Sequence, residues 1–340
     1  MKNYINDIKN AIEKSDIDWQ KFKDKSIFVT GATGMIGRAV VDMLLMVEKM
    51  YKPDIKIYIL SRNKEKAQKL LGNENNINII VGDVCENLDY PHFDFIIHAA
   101  SYGDPAAFVE TPVEVMKSNL TGTINMLECA KNHGSRIVFI STGEVYGYTG
   151  KKEAYVEGES GVLDFEKSRA CYPESKRAAE TLCLCYATQY NVDVSICRPC
   201  HTYGQTMTER DSRVIAQFIR NAVENKDIIM KSEGTQLRSM CYVVDTASAI
   251  LTVLQKGEKA QTYNISNMAS SITIRDMAQI LTDAAGTKLI IELPSDYEKK
   301  GYSPSDYQVL SDEKISKLGW KAFTNVKDGL KKVVQDMIIG

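Results

Sequence analysis

The sequence has no strong excess of charge of either sign. Its 340 residues include 42 lysines and arginines and 44 aspartates and glutamates, which gives a formal net charge of −2 at pH 7. Proteins that bind nucleic acid or anionic membranes through a broad surface have an excess of basic residues. The sequence therefore predicts neither partner, and any phosphate group must be bound by a few local side chains.

Long apolar runs, internal repeats and low-complexity segments are also missing. No stretch approaches the roughly 20 apolar residues of a membrane-spanning helix. Residues 1–16 are polar and charged. We therefore predict no membrane span and no targeting segment, which leaves a cytoplasmic location as the expectation.

The eight cysteines lack a paired metal-binding pattern. Cys183 and Cys185 are separated by one residue, and the C-x-x-C spacing of Cys197 and Cys200 has no second pair. Cysteine-based zinc sites use paired ligands of this kind. We expect reduced, buried thiols in a cytosolic protein and no bound metal.

The apolar residues, 44% of the chain, suffice for a full hydrophobic core, and their order indicates an α/β fold. Compact apolar runs alternate with stretches that have helical period or turn residues. These runs lie at residues 26–30, 55–60, 77–81, 93–99, 136–141 and 192–197. The alternation predicts a doubly wound parallel sheet with helices on both faces.

Three patterns along the chain predict its organisation. Residues 1–25 have apolar side chains at helical spacing and predict an external helical extension. Residues 26–198, with a return over about 242–268, predict the domain that contains the sheet. Residues 199–241 and 269–340 predict a smaller lobe over the carboxyl ends of the strands, where open α/β sheets bind ligands.

Three glycines follow the first predicted strand directly and precede a helix, in a G-x-x-G-x-x-G pattern. The first allows a tight turn, the second lets the backbone approach a pyrophosphate, and the third lets helix and strand pack closely. The free N–H groups at the start of the helix also favour phosphate. We predict that NAD or NADP binds here, at Gly31, Thr33, Gly34, Met35, Ile36 and Gly37.

The end of the second predicted strand bears on the choice between NAD and NADP. A carboxylate there binds the 2′-hydroxyl of NAD and repels the 2′-phosphate of NADP, but this chain has Ser61 and Arg62. A hydroxyl and a guanidinium suit phosphate better, so NADP is slightly favoured. The alternative, in which Arg62 is an ordinary solvated charge, stays open.

Residues after the third and fourth predicted strands complete the predicted dinucleotide site. Asp83 and Val84 follow the third strand, where an acid can accept a hydrogen bond from the adenine. Small residues after the fourth strand let the dinucleotide lie against the sheet edge, and these are Ala99, Ala100 and Ser101.

Tyr172 and Lys176 stand four residues apart in a helical stretch, which places both side chains on one face. An ammonium beside a phenol stabilises the phenolate, so we expect Lys176 to lower the pKa of Tyr172 and make it a base near neutral pH. Lys176 is also expected to hold the nicotinamide ribose. Thr142, at the end of the fifth predicted strand, supplies a hydroxyl to the same site.

The segments TGATGMIG, HAAS, STGEVYG, CYPESKR and RPCHTYG together resemble the extended short-chain dehydrogenase/reductase family of sugar-nucleotide epimerases, dehydratases and decarboxylases. The resemblance covers residues 26–334. It implies a Rossmann-type fold with a smaller C-terminal lobe and a catalytic triad of Thr142, Tyr172 and Lys176, supported by Asn119. It also implies a homodimer, formed by the helix of Tyr172 and a helix over about residues 115–130.

The segment Thr142-Gly143-Glu144 bears on the reaction. Sugar 4,6-dehydratases have a similar Thr-Asp-Glu segment, and Gly143 cannot supply that acid, whereas plain 4-epimerases usually lack the glutamate. The segment is most similar to the Thr-Ser-Glu of UDP-glucuronate decarboxylases. This implies a nucleotide-sugar substrate that is oxidised at C4, with Glu144 as a catalytic and substrate-binding residue. The alternative for Glu144 is that it caps a turn.

Three further residues are predicted to bind the substrate. Arg213 and Arg238 are expected to hold the diphosphate, because guanidinium groups bind phosphate in a two-pronged way. Arg238 lies in the segment RSMCYVVD, whose Asp245 is expected to anchor a loop. His201 stands where the decarboxylases have asparagine, and it either contacts the sugar or fills a loop.

Other functions stay open. If C5 carries no acid, Glu144 is expected instead to move a C5 proton, as in an epimerase, and a 4,6-dehydratase-like reaction is a further alternative. Arg62 favours a net reductase that consumes free NADPH. A non-catalytic dinucleotide-binding sensor would keep the glycine turn, but the intact Thr142, Tyr172 and Lys176 argue against it.

Overall fold

A seven-stranded parallel sheet forms the centre of the molecule. The computed structural model describes residues 1–72, 74, 76–292 and 306–339. From one edge to the other, the strands are β10 (Thr262–Ile265), β6 (Asp193–Pro199), β5 (Arg136–Ile140), β4 (Phe95–His98), β1 (Ser26–Thr30), β2 (Lys56–Ser61) and β3 (Ile77–Val81). Each neighbouring pair is parallel, so all the carboxyl ends lie at one edge of the sheet.

In the described residues, helices connect these strands, and further helices follow the last strand of the sheet in the chain. In chain order they are α1 (Lys2–Lys14), α2 (Met35–Tyr51), α3 (Lys64–Leu71), α4 (Pro105–Glu110), α5 (Pro112–His133), α6 (Cys171–Tyr190), α7 (Val214–Val223), α8 (Val243–Lys256), α9 (Ile274–Ala285), α10 (Glu313–Ser316) and α11 (Val326–Ile339). None of these described helices is both long and apolar enough to cross a membrane.

Helices cover both faces of the sheet, as the sequence predicted. On one face α2 packs against α8, and on the other α5 packs against α6. Alternate residues of β1 serve the two cores: Ile27 and Val29 pack with α2 and α8, and Phe28 packs with α5 and α6. Every residue of β1 is buried, which explains its continuous apolar sequence.

The N-terminal segment differs from the prediction of one helix over residues 1–25. Helix α1 ends at Lys14 because Ser15 adopts an extended conformation, and a separate 3-10 helix spans Trp19–Phe22. One face of α1 is buried against α2, α8 and α11. Asp336 of α11 fixes its start by accepting the N–H of Tyr4 over 2.8 Å.

Short strands in the later part of the chain form two smaller sheets. They are β7 (His201–Tyr203), β8 (Ile228–Met230), β9 (Leu237–Tyr242), β11 (Ser271–Thr273), β12 (Leu289–Ile291) and β13 (Tyr307–Gln308). Strand β9 pairs with β7, β11 and β13, and β8 pairs with β12. The predicted return of the chain over 242–268 brings α8 and β10 to the main sheet, while the two-lobe division itself stays a prediction. Residues 293–305 of the predicted smaller lobe lie outside the described residues.

Asp245, in the first turn of α8, anchors a loop. Its carboxylate accepts the N–H groups of Phe323 and Thr324 over 3.1 and 3.0 Å. Burial raises the pKa of Asp245 to about 7, although these hydrogen bonds oppose the shift. The structure therefore confirms the expected anchoring role.

Candidate active site

The parallel strands bring the predicted catalytic residues to one edge of the sheet. Gly31 follows β1, and Thr142 lies two residues after the end of β5. Tyr172 and Lys176 reach the same edge from the first turns of α6. Lys176 donates to the carbonyl of Ile140, the last residue of β5, over 2.7 Å.

The glycine turn fits closely against the end of β4. Gly31 has φ +70°, and a Cβ atom there would lie 2.5 Å from the carbonyl oxygen of Ala99. A Cβ atom on Gly37 would lie 2.3 Å from the carbonyl oxygen of Gly31. The N–H of Gly34 donates to that same carbonyl over 2.9 Å and leads the chain into α2. The first N–H groups of α2, beginning at Met35, are thus left to bind an anion.

Arg213 lies beside this turn. Its Nη2 is 3.6 Å from Met35 Sδ, and its Nη1 donates to the carbonyl of Thr202 over 2.9 Å. The guanidinium also forms a two-pronged ion pair with Asp211, with N to O distances from 2.6 to 3.2 Å. A diphosphate would therefore compete with Asp211 for this cation, and the predicted contact stays a prediction.

Ser61 and Arg62 have different surroundings at the end of β2. The Ser61 hydroxyl donates to the carbonyl of Asn63 over 2.9 Å, so it stabilises the turn into α3. Arg62 Nη1 donates to the hydroxyl of Tyr102 over 2.8 Å and lies 3.6 Å from Asp83 Oδ2. The hydrogen bond to Tyr102, with help from the charge of Asp83, raises the pKa of Arg62. Its side chain is 64% exposed, so Arg62 has two partners but is still largely solvated, and its role toward a dinucleotide stays a prediction.

Asp83 and Val84 follow β3 at the same edge. Asp83 accepts the N–H of Cys85 over 2.9 Å while its carboxylate faces Arg62. Val84 is buried against α5, where a Cβ atom on Gly122 would lie 2.8 Å from its side chain. This placement agrees with the predicted adenine contact, which stays a prediction.

Residues 99–101, which follow β4 and face the glycine turn, are held in place with the help of the neutral side chain of His98. His98 Nδ1 shares a 2.8 Å hydrogen bond with the hydroxyl of Thr30, and its Nε2 lies 3.1 Å from the hydroxyl of Thr123. Burial, with a smaller effect from the charge of Lys176, lowers the pKa of His98 to about 3. The Thr30 hydroxyl also accepts the N–H of Ala100 over 3.1 Å, so it joins β1 to residues 99–101.

Asn119 is fully buried and connects β4 to α6. The Ser101 hydroxyl donates to Asn119 Oδ1 over 2.7 Å, and Asn119 Nδ2 donates to Ser175 Oγ over 2.9 Å. Because Ser175 directly precedes Lys176, this chain of hydrogen bonds fixes the helix that carries the predicted base. The arrangement supports the role that the family resemblance implied for Asn119.

Tyr172 lies in a closed environment. The hydroxyl of Thr142 lies near its phenol and acts to lower the pKa of Tyr172. The Thr142 oxygen also accepts the N–H of Glu144 over 3.2 Å. The ring of Tyr172 stacks on that of Phe108 of α4, with centroids 4.4 Å apart and an interplanar angle of 15°. The structure thus brings Thr142, Glu144 and Tyr172 together.

The ionisation of Tyr172 differs from the expectation. Burial, followed by the negative charge of Glu144, raises the pKa of Tyr172 to about 12. Arg213 and Arg169 are the cations that oppose this shift. The expectation that Lys176 makes this phenol acidic is therefore wrong for this structure, and the reason is the direction of the lysine side chain.

Lys176 is buried, and its amine points to the end of β5. Its Nζ lies 4.6 Å from the centroid of the Phe139 ring. Burial lowers the pKa of Lys176 to about 7, although the charges of Glu180 and Cys183 oppose the shift. Near neutral pH the amine therefore gives up its proton far more readily than an exposed lysine does.

Glu144 faces Arg169 across the entrance to the site. Arg169 Nη1 lies 2.9 Å from Glu144 Oε2, and its Nη2 donates to Oε1 over 3.2 Å. Arg169 thus holds the carboxyl group of Glu144 in place. The residue between Thr142 and Glu144 is closely packed, because a Cβ atom on Gly143 would lie 3.0 Å from Leu310 Cδ1 and would require that side chain to move slightly.

The three predicted substrate residues of the later segment come together. His201 and Arg238 lie on the paired strands β7 and β9. Burial lowers the pKa of His201 to about 3, and the nearby charges of Arg238 and Arg213 add to the shift. Burial also lowers the pKa of Arg238 against the opposing charges of Tyr155 and Asp306. His201 is therefore a neutral side chain between two guanidinium groups.

The residues at this edge fit a dinucleotide. The turn that only glycine can form leaves the N–H groups of α2 exposed to a pyrophosphate, and Thr33 and Ile36 flank that turn. Ser101 and Lys176 supply polar groups on the side of the predicted nicotinamide, and Arg62 and Tyr102 supply them on the side of the predicted adenosine.

Several residues at the site were not found from the sequence. These are Phe108, which stacks on Tyr172, Arg169, which holds Glu144, Tyr102, which holds Arg62, and Asp211, which holds Arg213. Only Arg169 left a signal, because it precedes Tyr172 by three residues and so lies within one helical turn of it. Phe108 and Tyr102 act from segments far away in the sequence, where spacing carries no information, and Asp211, although only two residues from Arg213, showed no pattern that marks it as a partner.

Comparisons with known proteins agree with this geometry. A family model described as the NAD dependent epimerase/dehydratase family matches residues 27–266. UDP-glucuronic acid decarboxylase 6 of Arabidopsis thaliana is 32% identical over 314 residues, which cover 91% of this chain and 88% of that protein. UDP-glucuronic acid decarboxylase 1 of Danio rerio is 30% identical and covers 92% of this chain, which spans 72% of that protein.

Solved structures support the fold. The UDP-N-acetylglucosamine 4-epimerase of Methanobrevibacter ruminantium has a TM-score of 0.80 at 20% identity, and the match covers 93% of this chain and 99% of that one. The Rossmann-type fold that the family resemblance implied is thereby confirmed.

Gly31→Ala should abolish dinucleotide binding, because the added Cβ atom meets the backbone of Ala99 and the positive φ disfavours alanine. Calorimetric titration with NAD and with NADP measures the loss, and circular dichroism shows whether the variant folds. Gly158→Ala is the matched control, since its Cβ atom meets nothing within 4 Å. Unchanged affinity in Gly31→Ala would contradict the assignment of this turn.

Proposed function

This chain belongs to the NAD dependent epimerase/dehydratase family, and from that membership we propose that it is a nucleotide-sugar enzyme that oxidises the sugar at C4. We further propose decarboxylation of a UDP-glucuronate-like substrate as its reaction. The observation that carries the proposal is the meeting of Thr142, Glu144 and Tyr172 at the end of β5. The decarboxylases that match nearly the whole chain support the choice of reaction.

The chain's own residues account for the proton transfers at C4. When bound, the nicotinamide supplies the acceptor for the hydride of C4 and later its donor. Tyr172 takes the proton of the 4-hydroxyl as the C4–H bond breaks, and the nearby hydroxyl of Thr142 favours the ionised phenol. Because burial raises the pKa of Tyr172 to about 12, it needs added positive charge to act as a base near neutral pH.

The resulting 4-keto sugar makes a C5 carboxylate easy to lose. The electrons of the breaking bond from C5 to the carboxyl carbon move into the 4-ketone, and carbon dioxide leaves. The enolate that remains takes a proton at C5, and we assign Glu144, beside Tyr172, to pass this proton from solvent water to the carbon. Gly143 provides no acid for the loss of a 6-hydroxyl, which favours decarboxylation over dehydration.

Incubation with UDP-glucuronate, UDP-glucose and CDP- and dTDP-sugars, followed by mass spectrometry, tests the reaction. We expect loss of carbon dioxide from UDP-glucuronate, and Tyr172→Phe should lower turnover by about 100-fold or more while dinucleotide binding persists. Tyr148→Phe, at a tyrosine that is 53% exposed, is the control. Loss of water, or full activity in Tyr172→Phe, would refute the assignment.

We also propose that NADP binds more tightly than NAD. Support comes from the absence of a carboxylate at the end of β2 and from Arg62, which Tyr102 and Asp83 hold beside the predicted ribose. The same feature supports a second candidate function, a reductase that consumes free NADPH. Stoichiometric consumption of NADPH would identify it, whereas a dinucleotide that is recycled supports the decarboxylase.

Arg62→Gln should weaken NADP binding by about 10-fold, because one charge-assisted hydrogen bond to phosphate is lost, and should leave NAD binding nearly unchanged. Calorimetric titration with both dinucleotides measures the ratio. Lys69→Gln, at an exposed lysine of α3, controls for the general loss of positive charge. An equal effect of Arg62→Gln on both dinucleotides would contradict the proposal.

We propose a homodimer in which α5 and α6 pair with their copies. Support comes from the packing of α5 against α6 and from exposed apolar side chains on both, among them Met116, Ile124 and Leu184. These apolar side chains are exposed to solvent in a single chain, and a second copy of the chain would bury them in a dimer.

Light scattering coupled to size-exclusion chromatography should give twice the chain mass, and Ile124→Asp combined with Leu184→Asp should give a monomer. Val214→Asp, at an exposed valine of α7, should leave the dimer intact. A monomeric native protein would contradict the dimer.

A further inference from the structure

Arg169 contacts two residues of the candidate site, Glu144 and Phe108. It binds Glu144 through its guanidinium and lies over the ring of Phe108, which stacks on Tyr172. We infer that Arg169 is a positioning residue, which holds the Glu144 carboxylate beside Tyr172 and keeps the Tyr172 ring in place through Phe108. The inference rests on the proposed function for the reaction that it serves.

The ion pair between Arg169 and Glu144 has the geometry that restricts a carboxylate most. Both oxygens of Glu144 are engaged, at 2.9 and 3.2 Å from the two terminal nitrogens of Arg169. A single contact leaves a carboxylate free to rotate, whereas this two-pronged contact fixes its plane. The side chain of Glu144 is 34% exposed, so without Arg169 it could turn out to solvent.

Phe108 carries the connection to the base. The Arg169 guanidinium carbon lies 5.1 Å from the centroid of the Phe108 ring. The rings of Phe108 and Tyr172 are nearly parallel at 4.4 Å. The backbone of Phe108 is also held, because its carbonyl accepts a hydrogen bond from the thiol of Cys171 over 3.8 Å. Arg169, Phe108 and Tyr172 thus form one packed group at the start of α6.

Charges on several elements act on Tyr172. Glu144 contributes a negative charge from the 3-10 helix after β5, and Arg169 contributes a positive charge from the segment before α6. Arg213, already paired with Asp211, contributes from the loop before α7. The remaining nearby groups are Lys176 on α6 itself, whose amine points to Ile140, and the thiol of Cys171.

Within this set Arg169 has a specific effect. The anion of Glu144 makes the Tyr172 phenol harder to ionise, and Arg169 opposes it both by its own charge and by its pairing with that anion. Removing Arg169 therefore leaves Glu144 uncompensated and raises the pKa of Tyr172 further. Removing the charge of Glu144 lowers this pKa instead.

Arg169→Gln should lower kcat for C4 oxidation by about 10-fold or more and change KM much less, because a displaced base and carboxylate affect the chemical step. The limb of the pH profile that rises with pH should move to higher pH in Arg169→Gln and to lower pH in Glu144→Gln. Arg169→Lys should restore part of the loss, because it returns the charge but only one prong of the contact.

The double variant Arg169→Gln with Glu144→Gln tests whether Arg169 acts through Glu144. The shift caused by Arg169→Gln should be smaller in this background than in the native protein. Lys167→Gln is the matched control, since Lys167 lies in the same segment, is 75% exposed and pairs with Asp164. Equal shifts in both backgrounds, or native kinetics in Arg169→Gln, would overturn the inference.

A second readout does not need turnover. In protein labelled with carbon-13 at the tyrosine ζ position and bound to dinucleotide, the Tyr172 resonance is identified by its loss in Tyr172→Phe. This resonance should shift in Arg169→Gln and coincide with that of the native protein in Lys167→Gln. If no nucleotide sugar is converted but the resonance shifts, the proposed function fails and the positioning of Tyr172 stands. An unshifted resonance overturns the positioning role even if the enzyme is active.

Discussion

A buried phenol ionises only when positive charge or hydrogen bonds compensate for its lost hydration, and the candidate site is arranged around this constraint. Tyr172 is enclosed by Thr142 and Phe108, and its burial raises its pKa to about 12. Two cations from different segments, Arg213 and Arg169, oppose this rise in the pKa of Tyr172. The pKa of Tyr172, the predicted base, therefore depends on several neighbouring groups and not on one partner alone.

The parallel sheet makes this arrangement possible. Because each strand ends at the same edge, residues from β1, β4 and β5 meet there although they are far apart in the sequence. The close fit between Gly31 and Ala99 fixes the phosphate-binding turn against the neighbouring strand. The buried bonds of His98 and Asn119 then join that strand to β1 and α6. The catalytic side chains are thus held by a rigid frame.

The sequence predicted those features that depend on local pattern. Continuous apolar runs located the first six strands to within two residues at each end, and the spacing of glycines located the dinucleotide turn. The seventh strand, β10 (Thr262–Ile265), was not recognised as a strand, although the return of the chain to the sheet domain over about 242–268 was predicted. Its pairing with β6 comes from the tertiary fold.

The sequence could not predict contacts between side chains from different loops. Spacing placed Lys176 near Tyr172 but could not show that its amine points to Ile140. The chemistry of the guanidinium group predicted Arg213 as a phosphate ligand, but it could not show that Asp211, two residues earlier, already holds this side chain. Arg169 lay beside a predicted base, yet its partner Glu144 is 25 residues away along the chain. Such contacts depend on how the loops close over the sheet.

The most direct test of the central claim is to follow deuterium from C4 of the sugar. With UDP-glucuronate deuterated at C4, the account predicts a slower reaction than with the unlabelled sugar and a product that keeps deuterium at C4. This result requires that the C4 hydride leaves and returns within one active site. A product that forms at an unchanged rate, or that has exchanged its label for solvent hydrogen, would contradict oxidation at C4 by this site.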